Sequence, residues 1–348
     1  QTIHKLLGTI QNSVTFRHNA QNPLPYDLII IDESSMIDAA LMSKLLDSVG
    51  SESRIILLGD RNQLVSVEAG SIFGDLCLAK ECDLLQNRIT EFTFSHRFKE
   101  ELGIGKLSKA VLNGEQHTIK EELTTGSSDE ITYDFQYSES LFKQYALLYK
   151  GFITAANPKE ALKSINEIRF LCATRDDVKE TNRRIEKILA DENIAGFNPT
   201  TEFYINRPIM ITRNDYILDL RNGDIGIIRK ATNESGHEST YAFFESNDPE
   251  KPKKIPVGLL PEHETVFAMT IHKSQGSEFT NVAVILPKDG VAEQLLTREL
   301  FYTAVTRAKK QVLVQSDRIT FDNCFKKSVT RSSGIGSRLS NSSNNKEI

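Results

Sequence analysis

YDLIIIDESSMIDAALMSKLLDSVGSESRIILLGDRNQLVSVEAGS, residues 26–71, contains two short aliphatic runs, and each ends in acid. Leu28–Ile31 runs into Asp32-Glu33, and Ile55–Leu58 into Gly59-Asp60. Runs of this length and composition read as buried parallel strands. Ligands of open α/β sheets sit beyond the carboxyl ends of the strands. If the two strands are neighbours, Asp32, Glu33, Asp60 and Gln63 share one edge.

The chemistry that such an edge suits is nucleotide hydrolysis. A magnesium ion on β- and γ-phosphate oxygens needs a carboxylate from a strand end, and Asp32 fits. Glu33 beside it can polarise and align the attacking water. Gln63, in GDRNQL, can donate to a γ-phosphate oxygen or hold that water. The plainer alternative is that Asp32-Glu33 caps a helix starting near Ser34, since acids favour helix N-termini. The second acid-ended strand and the GDxxQL pattern at close range favour the catalytic reading.

Composition narrows the class. The chain has 348 residues, enough for two domains, and a net charge of −5 with a pI near 5.9. That balance argues against a generally basic nucleic-acid coat and leaves room for a local basic groove. Cys77, Cys82, Cys172 and Cys324 form no CxxC and read as reduced thiols of a cytoplasmic protein. No apolar run approaches the ~20 residues of a membrane span, so no membrane partner is expected. GxxxxGK[ST] does not occur, and the opening QTIHKLLG is already motif-like. The chain therefore reads as the downstream part of a longer protein whose phosphate-binding loop lies upstream.

Working outward, Thr2 reads as the N-cap of a short helix, and residues 11–25 as a polar loop. Ala39–Val49 is an amphipathic helix with Leu41, Leu45, Leu46 and Val49 on one face, and Ala69–Ala79 another helix. Phe92–Phe98 is a β-like run carrying Arg97, a candidate γ-phosphate contact. Leu102–Leu112 is helical, and residues 113–160 give no chemical signal. Glu167–Thr174 is a third buried strand, and Asp176–Leu189 a charged helix. Residues 198–260 change to short alternating strands with an Asn222-Gly223 turn, a small β-barrel inserted in the second α/β domain. Val282–Leu286 and Gln311–Gln315 are further strands, and Leu296–Lys310 a helix with Leu300, Ala304 and Ala308 on one face. The end, SNSSNNKEI, is polar and low in complexity.

Two segments of the second half carry donors and cations. In Thr270–Phe279, Gly276 permits close backbone approach to a phosphate, Glu278 can accept from a ribose hydroxyl, and His272 and Lys273 can contact DNA phosphates. An ordinary polar turn is the plainer reading of this segment taken alone. In YTAVTRAKK, Lys309 and Lys310 suit a helix C-terminus. Arg307 is less well explained that way and suits an arginine finger in phosphoryl transfer.

DESS, GDRNQLVSVEAG, the arginine of FSHRF, MTIHKSQGSEF and ELFYTAVTRAKK, in this order, resemble the superfamily 1 DNA helicases of the 5′-to-3′ branch. TIHKLLG, RNDYILDLRNGDIGI, LPEHETVF and TRSSG bring the resemblance closer to the RecD family, the alpha subunits of exodeoxyribonuclease V. The resemblance implies two RecA-like parallel-sheet domains, the first incomplete, with a small β-barrel inserted in the second. The implied boundaries are 1–92 for the first domain, 93–197 and 261–318 for the second, 198–260 for the insert and 319–348 for a partly disordered tail. It implies ATP and Mg2+ as cofactors, with Asp32 on the metal, Glu33 on the water, and Gln63, Arg97 and Arg307 on the γ-phosphate. Asp60, Gly276 and Glu278 are expected on the nucleotide side. Thr2, His4, Thr174, Thr270, His272 and Lys273 are expected along single-stranded DNA at a duplex end. RecB and RecC are the implied partners, in double-strand break repair and recombination. Ser34 departs from the alanine frequent at that position and leaves both acids intact. Other readings are a copy that binds DNA or a partner without hydrolysis, and a stand-alone or relaxase-type helicase.

Overall fold

The structure is a computed structural model that describes residues 1–10, 13–64, 72–80, 82, 84–92, 103–115, 117–119, 129–194, 197–232, 236–248, 250–288, 294–328, 334–335 and 338–339. It divides into two compact units, Gln1–Phe94 with Ser328–Ile348, and Ser95–Lys327.

In the first unit, β1 (Leu28–Ile31) and β2 (Arg54–Leu57) are parallel neighbours, in register from Leu28 opposite Arg54 to Ile31 opposite Leu57. The connection holds a helix, Ala39–Asp47, whose first turn is capped by Asp38 Oδ1 accepting from the Leu41 N–H at 2.8 Å. Its buried stripe is Met42 and Leu45, packed with Leu7, Ile29, Ile31, Ile37 and Ile72; Leu46, expected on that stripe, is exposed. The strands are not buried throughout. Leu28, Ile30, Ile56 and Leu58 retain 51, 57, 44 and 41% of their exposure, so one face of the sheet is covered and the other open.

The second unit is built on a five-stranded parallel sheet in the order β10-β4-β11-β12-β3. Its strands are β3 (Ile131–Asp134), β4 (Ile168–Cys172), β10 (Ala268–Thr270), β11 (Phe279–Ile285) and β12 (Ala308–Gln315). β4 is buried at every position and continues into Thr174, the N-cap of the helix Arg175–Asp191. The helix before β12 is Arg298–Val305, shorter than expected. Ala308, Lys309 and Lys310 therefore lie in β12 rather than in a basic last helical turn. Arg318–Lys326 is a further helix inside the stretch expected to be tail, N-capped by Asp317, with Phe321, Cys324 and Phe325 buried.

The expected small barrel is a five-stranded antiparallel sheet in the order β8-β7-β6-β5-β9: β5 (Pro208–Ile211), β6 (Ile225–Thr232), β7 (Glu238–Phe244), β8 (Lys253–Pro256) and β9 (His263–Thr265). It is packed on both faces. Ile227 and Phe243 join the core of Tyr149, Phe152 and Phe267, whereas Ile209, Ile211, Leu220, Ile228, Phe244 and Ile255 form a core of their own. Arg229 on β6 donates to the carbonyls of Phe152 (2.7 Å) and Ala155 (2.9 Å), closing the end of the helix Lys150–Ile153. Arg169 on β4 is fully buried against the Phe279 ring and donates to the Val266 carbonyl. Burial pushes its guanidinium below the ordinary value.

Candidate functional site

The parallel register of β1 and β2 brings both acid-ended loops to one carboxyl edge. Leu58 N–H donates to the Ile31 carbonyl and Ser34 N–H to the Leu58 carbonyl, each at 2.8 Å, so the ladder continues past the strand ends. Asp32-Glu33 and Gly59-Asp60 leave the sheet side by side. Gly59 permits the close approach, because a Cβ there would meet the Ser35 nitrogen at 3.1 Å and the Phe73 ring at 3.0 Å.

Glu33 adopts a left-handed backbone, φ 52° and ψ 38°, which is costly for a residue with a Cβ. Its N–H donates to Asp32 Oδ1 at 2.8 Å. Glu33 precedes the 3-10 turn Ser34–Met36, and its side chain makes no capping bond there. The cap of the following α-helix is Asp38, so the capping alternative does not account for Asp32-Glu33.

Asp60 organises the second loop. Its carboxylate accepts from the Asn62 N–H at 2.9 Å and from Gln63 Nε2 at 3.2 Å. The amide nitrogen of Gln63 is thereby committed, and its Oε1 is buried with no hydrogen-bond partner among the described residues; Ser35 Oγ is in the same condition. A buried amide oxygen without a donor is costly, and a water or hydroxyl at that edge would satisfy it. Among the described residues, no group of three or more His, Cys, Asp and Glu is arranged to hold a metal by itself. One or two carboxylates beside a phosphate-binding edge are what magnesium takes, since it draws its remaining ligands from phosphates and water. The residues present fit a magnesium nucleotide.

Thr2 caps the helix Ile3–Leu7, its Oγ1 accepting from the Lys5 N–H at 3.3 Å, and the His4 ring meets Phe16 edge-on at 5.6 Å. Arg97 lies outside the described residues, as does the 65–70 part of GDRNQLVSVEAG.

In the second unit the expected site residues run from one end of the parallel sheet to the other. At the amino end of β11 and β12, Gly276 has φ 74° and Phe279 N–H donates to the Arg307 carbonyl at 2.9 Å. Arg307 lies beyond the helix Arg298–Val305 rather than on it, and it is buried. Its Nε donates to the Thr303 carbonyl at 3.2 Å and its Nη1 to the Ser277 carbonyl at 3.3 Å, fixing the loop between Gly276 and Glu278. Glu278 pairs with Lys309 at 3.1 Å.

At the carboxyl end, Thr270 closes β10 opposite Cys172 of β4, and Thr174 follows β4. Thr174 Oγ1 accepts from the Asp177 N–H at 3.1 Å and donates to its carboxylate at 2.6 Å. Thr270 Oγ1 accepts from the Lys273 N–H at 3.3 Å, and Lys273 Nζ pairs with Glu264 at 2.8 Å. His272 opens the 3-10 turn His272–Ser274. At about 3.3 Å per residue, the seven residues of β11 set its two ends roughly 20 Å apart. Thr174 and Thr270 lie at the carboxyl edge and Arg307 at the amino edge, and the loop carrying His272, Gly276 and Glu278 joins the two, turned by the Gln275 N–H donating to the His272 carbonyl at 3.3 Å and the Ser277 N–H to the Ser274 carbonyl at 3.0 Å. Lys309 and Ser277 join these residues through contacts that the sequence did not signal.

No helix among the described residues is long and apolar enough to cross a membrane. Residues 1–69 match the AAA domain family and residues 265–314 the UvrD-like helicase C-terminal domain family. The chain is 35% identical to the RecBCD enzyme subunit RecD of Mycolicibacterium smegmatis over 97% of its own length and 59% of the relative's. It is 31% identical to the RecBCD enzyme subunit RecD of Haemophilus influenzae, over 97% of its own length and 58% of the relative's. It therefore spans somewhat over half of the curated relatives it matches. Among solved structures it aligns with Bacteroides Pif1 bound to ssDNA at a TM-score of 0.48 and 16% identity, over 92% of this chain and 80% of that one.

Proposed function

We propose that this chain, a homologue of the RecD subunits along nearly its whole length, carries part of an ATP-driven 5′-to-3′ DNA helicase. The observation that carries the reading is the shared carboxyl edge of β1 and β2, where Asp32, Glu33, Asp60 and the unpartnered Oε1 of Gln63 converge. Magnesium, bound with the nucleotide, would neutralise charge on the phosphates. The chain's own residues do the rest. Asp32 would hold the metal. Glu33 would take a proton from the attacking water, held towards the edge by its left-handed backbone. Gln63 Oε1 would accept from that water while Asp60 fixes the amide from behind. Arg307 and Arg97 are proposed on the γ-phosphate, with the Arg307–Ser277 bond linking that contact to Gly276 and Glu278. Thr2, His4, Thr174, Thr270, His272 and Lys273 are proposed along the single strand, gripping phosphates or stacked bases without sequence preference.

The relatives' name, RecBCD enzyme subunit RecD, supports RecB and RecC as the partners in this proposal. The proposal extends to a cytoplasmic subunit acting on single-stranded DNA at duplex ends, in break repair and recombination. The five-part division into two RecA-like domains, insert and tail belongs to the same proposal. The 348 residues contain no GxxxxGK[ST], and the chain alone is proposed not to hydrolyse ATP. The second reading is a module that binds DNA or a partner only.

Glu33→Gln in the full-length protein carrying this chain tests the assignment. DNA-stimulated ATP turnover should fall by about 10²–10⁴-fold with nucleotide binding retained. Turnover near wild type would remove Glu33 from the chemistry, and absent turnover in the wild type would favour the binding module.

A further inference from the structure

Arg169 is a cation sealed inside the second unit. It sits on β4, fully buried, and pairs with no carboxylate among the described residues. Its donors go to oxygens that carry no full charge. Nη1 donates to the Val266 carbonyl, and Nη2 to the Ile165 carbonyl at 3.3 Å and to Asn166 Oδ1 at 3.4 Å. The guanidinium carbon lies 5.1 Å from the centre of the Phe279 ring. A methionine or leucine would fill such a place without the cost of stripping water from a charge. Filling the core therefore does not account for an arginine here.

The three segments that meet at this guanidinium are distant in the chain. Ile165 and Asn166 precede β4. Val266 lies where the chain leaves β9 of the antiparallel sheet and enters β10 of the parallel one. Buried side chains hold that junction. Asn182 accepts from the Ala268 N–H at 2.9 Å and donates to the Thr265 and Ala268 carbonyls at 3.3 and 3.4 Å, and the Tyr149 hydroxyl donates to the Phe267 carbonyl at 2.5 Å. The Val266 N–H donates to the carbonyl of Pro208, where the antiparallel sheet begins, at 3.1 Å. The third segment, opened by Phe279, holds Arg307 twice. The Phe279 N–H donates to the Arg307 carbonyl at 2.9 Å, and the Ser277 carbonyl accepts from Arg307 Nη1 at 3.3 Å. The Thr280 N–H returns to the Asn166 carbonyl at 2.9 Å, so the segments also meet through the backbone.

We infer that Arg169 is a positioning residue for Arg307. It clamps the Phe279 ring against the immobilised Val266 junction, which fixes the 277–279 backbone and with it the place from which the Arg307 guanidinium works. This role rests on the placement of Arg307 at the γ-phosphate proposed above. A cation that acts on charge developing in phosphoryl transfer is worth more in the transition state than in the bound substrate. Displacing it lowers kcat more than it raises KM. Lysine would keep the charge at position 169 but has neither the flat face for the Phe279 ring nor the fork that reaches two segments at once.

Steady-state ATP hydrolysis by the full-length protein carrying this chain, with single-stranded DNA present, tests the role. Each variant is assayed at a temperature where circular dichroism shows it folded. Arg169→Lys should lower kcat by about tenfold or more, with KM for ATP within about twofold of wild type. Phe279→Leu, which keeps an apolar side chain in the core should Arg169→Lys not fold, is expected to do the same. Either change combined with Arg307→Ala should lose no more turnover than Arg307→Ala alone, because both act through one contact. Losses that multiply, kcat near wild type in a folded variant, or two variants that do not fold would overturn the positioning role alone. Arg307→Ala that turns over like wild type, or a wild type without turnover, would overturn the placement of Arg307 and the role of Arg169 with it.

Discussion

Gly59 is where one missing methyl group shapes the site. An alanine there would press on the Ser35 backbone nitrogen, which cannot move without shifting the turn that positions Glu33. Gly59→Ala should destabilise the first unit by about 1–3 kcal/mol, read in chemical denaturation. A smaller loss would mean that Phe73 yields instead. The residues of this edge were legible early, because a strand that ends in acid announces its own carboxyl end. The second unit was less so. Glu278 with Lys309, and Arg307 with the Ser277 carbonyl, are pairs separated by 31 and 30 positions in the chain. Nothing local in MTIHKSQGSEF marks either contact.

Among the elements, strands with continuous aliphatic runs were readable, and those with polar interruptions were not. β4 is buried at every position and β11 at most, and both were expected. β3, with the sequence ITYD, pairs at the edge of the parallel sheet but offers too short a pattern to separate it from loop. The helix Arg318–Lys326 hid for a related reason. Its buried Phe321, Cys324 and Phe325 follow i, i+3, i+4 spacing, but exposed Arg318 and Ile319 and the polar run after it mask the signal. Asp317 holds its start, accepting from the Thr320 N–H at 2.8 Å and from the Thr320 hydroxyl at 2.7 Å. Asp317→Ala should cost about 1 kcal/mol of stability in a urea titration, and an unchanged midpoint would show the helix to be held by its aromatic face alone. Lys309 and Lys310 misled in the opposite direction. Two lysines after an alanine-rich segment imitate a helix end, yet the parallel pairing of β12 with β11 claims them as strand.

Across the molecule, the buried acidic side chains that ionise in alkali are concentrated in one unit. Burial pushes the thiols of Cys172 and Cys324 up to about 12, against 9.0 in the unfolded chain. The hydroxyls of Tyr149 and Tyr204 are also raised by burial, and Tyr204 further by Glu186. A raised pKa in these groups means that the unfolded chain loses its protons first. Their contribution to stability is whole below pH 9 and declines as pH rises towards 12. Thermal scans from pH 8 to 11 should show the transition of Ser95–Lys327 falling further than that of the first unit. Parallel decline of both would place the alkaline sensitivity elsewhere.

The bare side of the β1–β2 ribbon has a practical cost. Two parallel strands with unpaired rims among the described residues, and four aliphatic side chains turned to water, offer a template to any other extended peptide. Preparations of these residues by themselves should clump as concentration rises. Leu28→Lys combined with Ile56→Glu should keep them dispersed, which light scattering would register.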